Sequence, residues 1–190
     1  VRVALSACTV LLIACGLTST YAFATDFDAG SLIIPMDESY QDDGMLEAYG
    51  LVYLLLLNDL EIHWMIASGK SHGDDDFTAT AYDIDSASST AASIDYRGGP
   101  FVIDSGDAAE ALTVIASWRG SHTTTVHEAS LSFTGEVDRT LRYAPSVAIF
   151  ADGREDISFD VLNAAGIPDS NDSTWPSSAD NDCNYATDGY

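Results

Sequence analysis

The stretch that decides the fold spans residues 31–67 and reads SLIIPMDESYQDDGMLEAYGLVYLLLLNDLEIHWMIA. It opens with a short apolar run at residues 31–36 and closes with a second one at residues 61–67. Between them, from about residue 40 to residue 57, apolar side chains recur at helical spacing and form one continuous apolar face. A strand, a helix and a strand in this order predict a β-α-β unit with a right-handed crossover.

The same alternation continues toward the C terminus. Further strands are predicted at residues 101–103 and 146–151, and residues 124–133 are rich in strand-forming residues. Helices are predicted from about residue 106 to 118 and from Asp152, the second ending at Gly166 with Pro168 beyond it. This rhythm predicts an α/β fold, a three-layer sandwich with a mostly parallel sheet, flavodoxin-like or Rossmann-like. One domain is expected over residues 25–168, followed by an acidic irregular tail at residues 169–190.

Residues 1–24 have the pattern of a secretion signal. Arg2 is the charged start, residues 3–17 are apolar, and residues 22–24 (AFA) form a small-x-small cleavage site. The pattern predicts a secreted, periplasmic or cell-surface protein with no membrane span once the signal is removed. The alternative is processing at residues 12–15 (LIAC), which resemble a bacterial lipobox and would leave a lipid anchor on Cys15. Cleavage after Ala24 instead leaves Cys183 as the one cysteine.

Charge is the most unusual feature of the composition. The chain has 190 residues, enough for one domain with a core, and its 30 acidic residues face only 7 basic ones, a formal net charge of -23. Nucleic acids are polyanions and would be repelled, so nucleic-acid binding is excluded. The expected partner is a small molecule or an extracellular protein or glycan.

Polar residues follow the predicted strands. Because ligands bind beyond the carboxyl ends of the strands in an open parallel sheet, these residues define a candidate site. The candidate catalytic residues are Asp37, Glu38, His72 and Asp104, and the candidate ligand-binding residues are Tyr40, Lys70, Arg97, Gly98, Gly99, Asp152 and Arg154. Carboxylates beside basic side chains could bind a divalent ion or perform acid–base chemistry. Asp104 and Asp152 are also explained as helix caps, whereas Asp37 is the member least explained by capping.

Two acidic clusters have the composition of calcium loops. One is residues 74–76 (DDD), and the other comprises Asp180, Asp182 and Asn184. The cofactor is unknown, and weak calcium binding is the candidate, with a solvated acidic loop as the alternative, since the second cluster lacks the glycine of an EF-hand loop. Residues 69–71 (GKS) lack the earlier glycine of a phosphate-binding loop, because that position is Trp64.

Five segments resemble those of a group of uncharacterised exported α/β proteins of myxobacteria and relatives. They are residues 31–41 (SLIIPMDESYQ), 47–56 (EAYGLVYLLL), 96–104 (YRGGPFVID), 144–153 (APSVAIFADG) and 162–170 (LNAAGIPDS). The resemblance covers residues 26–176 and implies secretion and a single α/β unit, but no activity. Residues 98–100 (GGP) and the strand–helix rhythm are similar to the flavodoxin-like layout of class I glutamine amidotransferase-like domains. The chain lacks a cysteine or Gly-x-Ser-x-Gly elbow between a strand and a helix, so that chemistry is not expected.

Two functions stay open from the sequence. The first is a non-catalytic exported domain, at the cell surface or secreted, that binds a ligand or a partner. The alternative is a hydrolase-type enzyme with an acidic site, metal-assisted or not, at the carboxyl ends of the strands.

Overall fold

The computed structural model describes residues 24–41, 45–85, 90–149 and 153–176. The strands in these residues are β1 Ala24–Phe27, β2 Leu32–Ile34, β3 Ile62–Met65, β4 Phe77–Asp83, β5 Ala92–Tyr96, β6 Phe101–Ile103, β7 His127–Ala129 and β8 Phe133–Leu141. The helices are α1 Glu38–Gln41, α2 Met45–Leu57, α3 Ala108–Trp118 and α4 Glu155–Ala164. Residues 1–23 lie outside the described residues, so the secretion signal stays a prediction.

All eight strands belong to one sheet, in the order β1-β8-β3-β6-β2-β7-β4-β5. Every pairing in it is antiparallel. The predicted three-layer α/β sandwich with a mostly parallel, flavodoxin-like or Rossmann-like sheet is therefore wrong. The chain is an antiparallel α+β protein with helices against one face of a curled sheet.

The connections explain how the strand–helix alternation led to the wrong sheet. Strands β2 and β3 run in the same direction, as a β-α-β unit requires, but β6 lies between them and is antiparallel to both. Strands β6 and β7 flank β2 in the same way. Strands β2, β3, β6 and β7 thus form two interleaved split β-α-β units, which is the connectivity of a ferredoxin-like core. The β4–β5 hairpin is inserted between the two units in the chain. Local periodicity cannot distinguish adjacent parallel strands from separated ones.

Helices α2 and α3 cover one face of the central strands. Alternate residues of those strands face these helices, and the helix-side core includes Leu32, Ile34, Leu51, Leu55, Phe101, Ile103, Ala111 and Ile115. The intervening residues, such as Ile33 and Val102, belong to a second core on the inner face of the curl. Each of Leu32, Ile33 and Ile34 is fully buried. Burial on both faces gives a continuous apolar run, which is also typical of a parallel sheet.

A column of stacked rings fills the inner face. Ring centroids are 5.2 Å apart for Phe27 and Phe133, 5.0 Å for Phe133 and Phe77, and 4.9 Å for Phe77 and Tyr96. This aromatic column joins β1, β8, β4 and β5, although β8 and β4 are not neighbours in the sheet. Gly135 of β8 permits the close approach of β4, because a Cβ there would lie 2.6 Å from Met65 Cε and 3.4 Å from Phe77 Cβ. The sheet therefore curls until β4 meets β8.

Several element boundaries differ from the prediction. Residues 146–149 of the predicted strand at 146–151 form no strand, and residues 150–151 lie outside the described part. Helix α4 has Arg154 at its N-cap position, two residues after the predicted cap Asp152. Strands β1, β5 and most of β8 were not predicted. No helix in the described residues combines the length and the apolar character needed to cross a bilayer.

The predicted acidic tail begins at Asp169. Its described part, residues 169–176, contains neither helix nor strand, and it packs against the domain through Trp175. The Trp175 ring stacks on Phe159 of α4 with centroids 5.5 Å apart, and its Nε1 donates to the carbonyl of Ile167 at 2.8 Å. The remaining residues, 177–190, lie outside the described part of the chain.

Candidate functional site

In the antiparallel sheet, the residues of the predicted site lie at two opposite ends of the strands. Strand β6 runs opposite to β2, with Ile34 paired to Phe101 and Leu32 paired to Ile103. Asp37 follows β2 and Asp104 follows β6, so the two residues lie at opposite ends of the strands. At its own end, Asp104 Oδ2 lies 3.1 Å from Nε2 of His63. The prediction that these carboxylates converge is wrong, because it depended on parallel strands.

Asp37 acts as a cap and an ion-pair partner. Its Oδ1 accepts the N–H of Ser39 at 2.9 Å and the Ser39 hydroxyl at 2.7 Å. Its Oδ2 lies 3.1 Å from Arg97 Nε, and Arg97 also reaches Asp75. The Ser39 N–H, then the Ser39 hydroxyl and the Arg97 charge hold the pKa of Asp37 below its ordinary value. Asp37 is thus explained by capping, contrary to the expectation, and a carboxylate with a lowered pKa is a poor general acid or base.

Asp76 connects the neighbouring loops at the same end of the strands as Asp37. Its side chain is fully buried and forms an ion pair with Lys70. It also accepts the N–H of Ala67 at 3.0 Å and the N–H of Gly99 at 2.9 Å. Lys70 is thereby engaged in holding the fold together and is not a free ligand-binding group.

Gly98 and Gly99 make a turn that no other residue fits well. Both have positive φ, 81° and 76°. A Cβ on Gly98 would lie 2.5 Å from the carbonyl oxygen of Met36, and one on Gly99 would lie 2.6 Å from Trp64 Nε1. Close backbone packing therefore accounts for both glycines, and their role in ligand binding stays a prediction.

Apart from Tyr40, the remaining predicted site residues are either solvent-exposed or outside the described residues. Glu38 and His72 are exposed, and Arg154 is exposed at the start of α4. Asp152 lies outside the described residues, as do Asp180, Asp182 and Asn184, so the calcium site at the last three stays a prediction.

The acidic cluster at residues 74–76 does not converge on one point. Asp74 accepts the N–H of Ser71 at 2.8 Å, while Asp75 pairs with Arg97 and Asp76 pairs with Lys70. In the part of the chain that the structure describes, no group of three or more His, Cys, Asp or Glu residues is placed to hold a metal ion. Asp74 and Asp75 therefore lie on an exposed acidic loop, whereas Asp76 is buried.

Two adjoining cavities beside Tyr40 form the candidate site, which we call the Tyr40 groove. They measure about 360 Å³ and 670 Å³ and share Tyr40, Asp83 and Thr125. The smaller cavity is also lined by Ser39, Ala81, Tyr82, Thr90, Ala92, Ile94 and His127. The larger one is also lined by Gln41, Glu47, Asp85, Arg119, His122, Thr123 and Thr124. Clefts of this size are typical of small-molecule sites.

The buried Gln41 side chain fixes the shape of the groove. Its Nε2 donates to the carbonyls of Pro35 and Thr125, at 2.8 Å and 3.0 Å, and its Oε1 accepts the N–H of Thr125 at 3.0 Å. The Thr125 hydroxyl in turn donates to the carbonyl of Tyr40 at 2.8 Å. These bonds tie α1 to the segment before β7, so Tyr40 is held in place before any ligand arrives.

His127 closes the inner end of the groove. Its Nδ1 lies 2.8 Å from the Tyr96 hydroxyl, and its ring meets the Tyr40 ring edge to face, with centroids 5.1 Å apart. Burial lowers the pKa of His127, and the nearby Asp83 charge opposes that effect without reversing it. Burial also raises the pKa of Tyr96. Both rings are therefore uncharged at neutral pH.

The outer wall carries charged groups that are already engaged. Arg119 Nη1 lies 2.7 Å from Asp85 Oδ1, and Glu47 accepts the N–H of Thr123 at 2.7 Å. Asp83 differs, because among the described residues its Oδ1 accepts a backbone N–H, that of Asp85 at 2.9 Å, and no side-chain donor. No basic side chain among the described residues lies within 4 Å of the Asp83 carboxylate.

Sequence reasoning identified one residue of this groove, Tyr40. His127, Asp83 and Thr125 belong to no motif. The register that places Asp83 opposite His127 in β4 and β7 is a tertiary feature, so no local sequence signal could have found it.

Comparisons of the chain with protein-family models, with curated proteins and with solved structures give no match in any of the three. The structure itself defines the class, an antiparallel α+β domain with a preformed polar groove. The resemblance to exported proteins of myxobacteria and the similarity to the amidotransferase-like layout stay predictions.

The buried His127 predicts a stability that depends on pH near neutrality. Since its pKa in the fold lies below the ordinary value of about 6.5, the unfolded chain takes up a proton first as the pH falls. The free energy of unfolding should therefore fall as the pH drops below about 7, by at most about 1.4 kcal/mol per pH unit for one proton. Urea unfolding at pH values of about 7.5, 6.5 and 5.5 measures this slope.

The variant His127→Gln should have a smaller slope over the same range, because the group that resists protonation is gone. His72→Gln is the matched control, since His72 is exposed and its removal should leave the slope unchanged. Equal slopes in wild type and His127→Gln would contradict the prediction.

Proposed function

We propose that this chain is a non-catalytic ligand-binding domain of the cell surface or the secreted fraction, and that the Tyr40 groove is its binding site. The observation that carries the proposal is the groove itself, whose wall is held in place by Gln41 and Thr125. A preformed site loses little conformational freedom when a ligand binds. The signal-like residues 1–24 support the location.

The hydrolase alternative depended on a geometry that the sheet does not have. Its acidic residues were expected to converge at the carboxyl ends of parallel strands, whereas Asp37 and Asp104 lie at opposite ends of antiparallel strands. Asp37 and Lys70 are both engaged in ion pairs within the fold. Binding without reaction is therefore the function that the described residues support best.

Charge and lining restrict the ligand. The formal net charge of -23 disfavours anions at any site on the surface. The groove offers hydroxyls, backbone carbonyls, carboxylates and the Tyr40 ring, which suit hydrogen-bonding ligands. We propose a small polar ligand that is neutral or cationic.

A thermal-shift screen of the purified chain against sugars, amines, nucleotides, calcium and zinc tests the proposal. A ligand at about a hundred times its dissociation constant should add about 2.7 kcal/mol to the free energy of unfolding. The variant Tyr40→Ala should lose that shift relative to its own unfolding temperature, because Tyr40 lines both cavities.

Tyr143→Ala is the matched control, since that tyrosine is 83% exposed and does not line the groove. It should keep the full shift. A ligand whose shift is the same in wild type and Tyr40→Ala would place binding elsewhere, and silence across the whole panel would overturn the proposed function.

A further inference from the structure

One carboxylate of the Tyr40 groove, that of Asp83, has no positive partner among the described residues. Asp85 is paired with Arg119, and Glu47 accepts both the N–H of Thr123 and its hydroxyl, at 2.7 Å and 3.4 Å. Asp83 accepts the N–H of Asp85, and no basic side chain in the described ranges comes within 4 Å of it. A half-buried carboxylate favours a cation beside it, because opposite charges attract more strongly where water is partly excluded.

Because Asp83 lines the groove, a cation beside it would belong to a bound ligand. Asp83 lies in the wall that both cavities share, together with Tyr40 and Thr125. Tyr40 supplies an aromatic ring, which attracts cations through its negative face. His127, the register partner of Asp83, is uncharged at neutral pH and so does not compete for the carboxylate.

We propose that the Tyr40 groove binds a small molecule with a protonated amine, whose ammonium group pairs with Asp83 and lies beside Tyr40. This inference rests on the proposed function of the groove and adds the chemical class of the ligand. A metal ion fits the site less well, because no third ligand of the His, Cys, Asp or Glu type joins Asp83 in the described residues. The strong negative charge of the chain also raises the local concentration of cations.

Three probes of equal chain length test the inference by isothermal titration calorimetry on the full chain at fixed ionic strength. They are putrescine, which is cationic, 1,4-butanediol, which is neutral, and succinate, which is anionic. We expect putrescine to bind at least tenfold more tightly than the diol, and succinate to give no binding heat. The variant Asp83→Asn should weaken putrescine binding at least tenfold, while its amide oxygen can still accept the N–H of Asp85.

Asp107→Asn is the matched control for charge. It removes one negative charge at the N-terminal end of α3, about 18 Å along the helix from Arg119 in the groove wall. It should change the affinity for putrescine less than twofold. An equal loss in Asp83→Asn and Asp107→Asn would reveal diffuse attraction to a polyanion and overturn the inference.

The probes also separate this inference from the proposed function. If putrescine and the diol bind equally well and Tyr40→Ala abolishes both, the amine inference fails and the groove remains a binding site. If neither the probes nor any compound of the thermal-shift panel binds in a manner that depends on Tyr40, both the inference and the proposed function fail.

Discussion

Replacement of Asp76 by alanine is expected to lower the free energy of unfolding by about 3–5 kcal/mol, the range found when one partner of a buried ion pair is removed. The carboxylate is fully buried, and its partner Lys70 is only 22% exposed. The variant would leave that ammonium group unpaired and the N–H groups of Ala67 and Gly99 without their acceptor. Urea unfolding followed by circular dichroism measures the change.

The adjacent Asp75 provides a control of the same charge. Its side chain is 42% exposed and pairs with Arg97, which is also half in solvent, so Asp75→Ala should cost no more than about 1 kcal/mol. The double variant Asp76→Ala/Lys70→Met should recover part of the loss, because the orphaned cation is gone. Equal stability losses in Asp76→Ala and Asp75→Ala would show that burial of the Asp76 pair is unimportant.

Replacement of Phe77 by alanine is expected to cost about 3–5 kcal/mol as well, for an apolar reason. Phe77 occupies the centre of the aromatic column, between Tyr96 and Phe133. Its loss leaves a cavity where β4 meets β8, two strands that no ladder hydrogen bonds connect. Chemical denaturation measures the loss of stability, and the denaturant slope shows whether the native curl has opened.

Leu131→Ala serves as the comparison for that variant. Leu131 is 60% exposed on the turn before β8, so its truncation should change stability by no more than about 0.5 kcal/mol. A Phe77→Ala variant as stable as Leu131→Ala would mean that the column does not hold the curl together.

The element types of the central region could be predicted from the sequence, but the direction of the strands could not. Residues 31–67 do form a strand, helices and a strand, and β2 and β3 run in the same direction. What the local pattern omits is that β6, from residues 101–103, inserts between them. The fully apolar runs indicated burial on both faces, and here the second face is covered by the curl of the sheet instead of a third layer.

The same limit applies to the site. Asp37, Lys70, Arg97, Gly98 and Gly99 do gather at one end of the strands. Asp37 and Lys70 follow β2 and β3, as predicted, whereas residues 97–99 join them because β6 is antiparallel to both strands. Their side chains form ion pairs within the fold and their glycine turn packs closely against the backbone, and the sequence does not reveal these contacts. The groove residues Asp83 and His127 meet only through the register of β4 and β7.

The strand order also sets the course of folding. Of the described pairings, only β4–β5 joins consecutive strands, while Ala24 pairs with Glu136 and Ile33 pairs with Val102. Chains dominated by such distant contacts fold on the millisecond-to-second scale. A polypeptide that emerges from its N terminus can assemble the hairpin early, but the first three strands must wait for residues 127–141 before their ladders are complete.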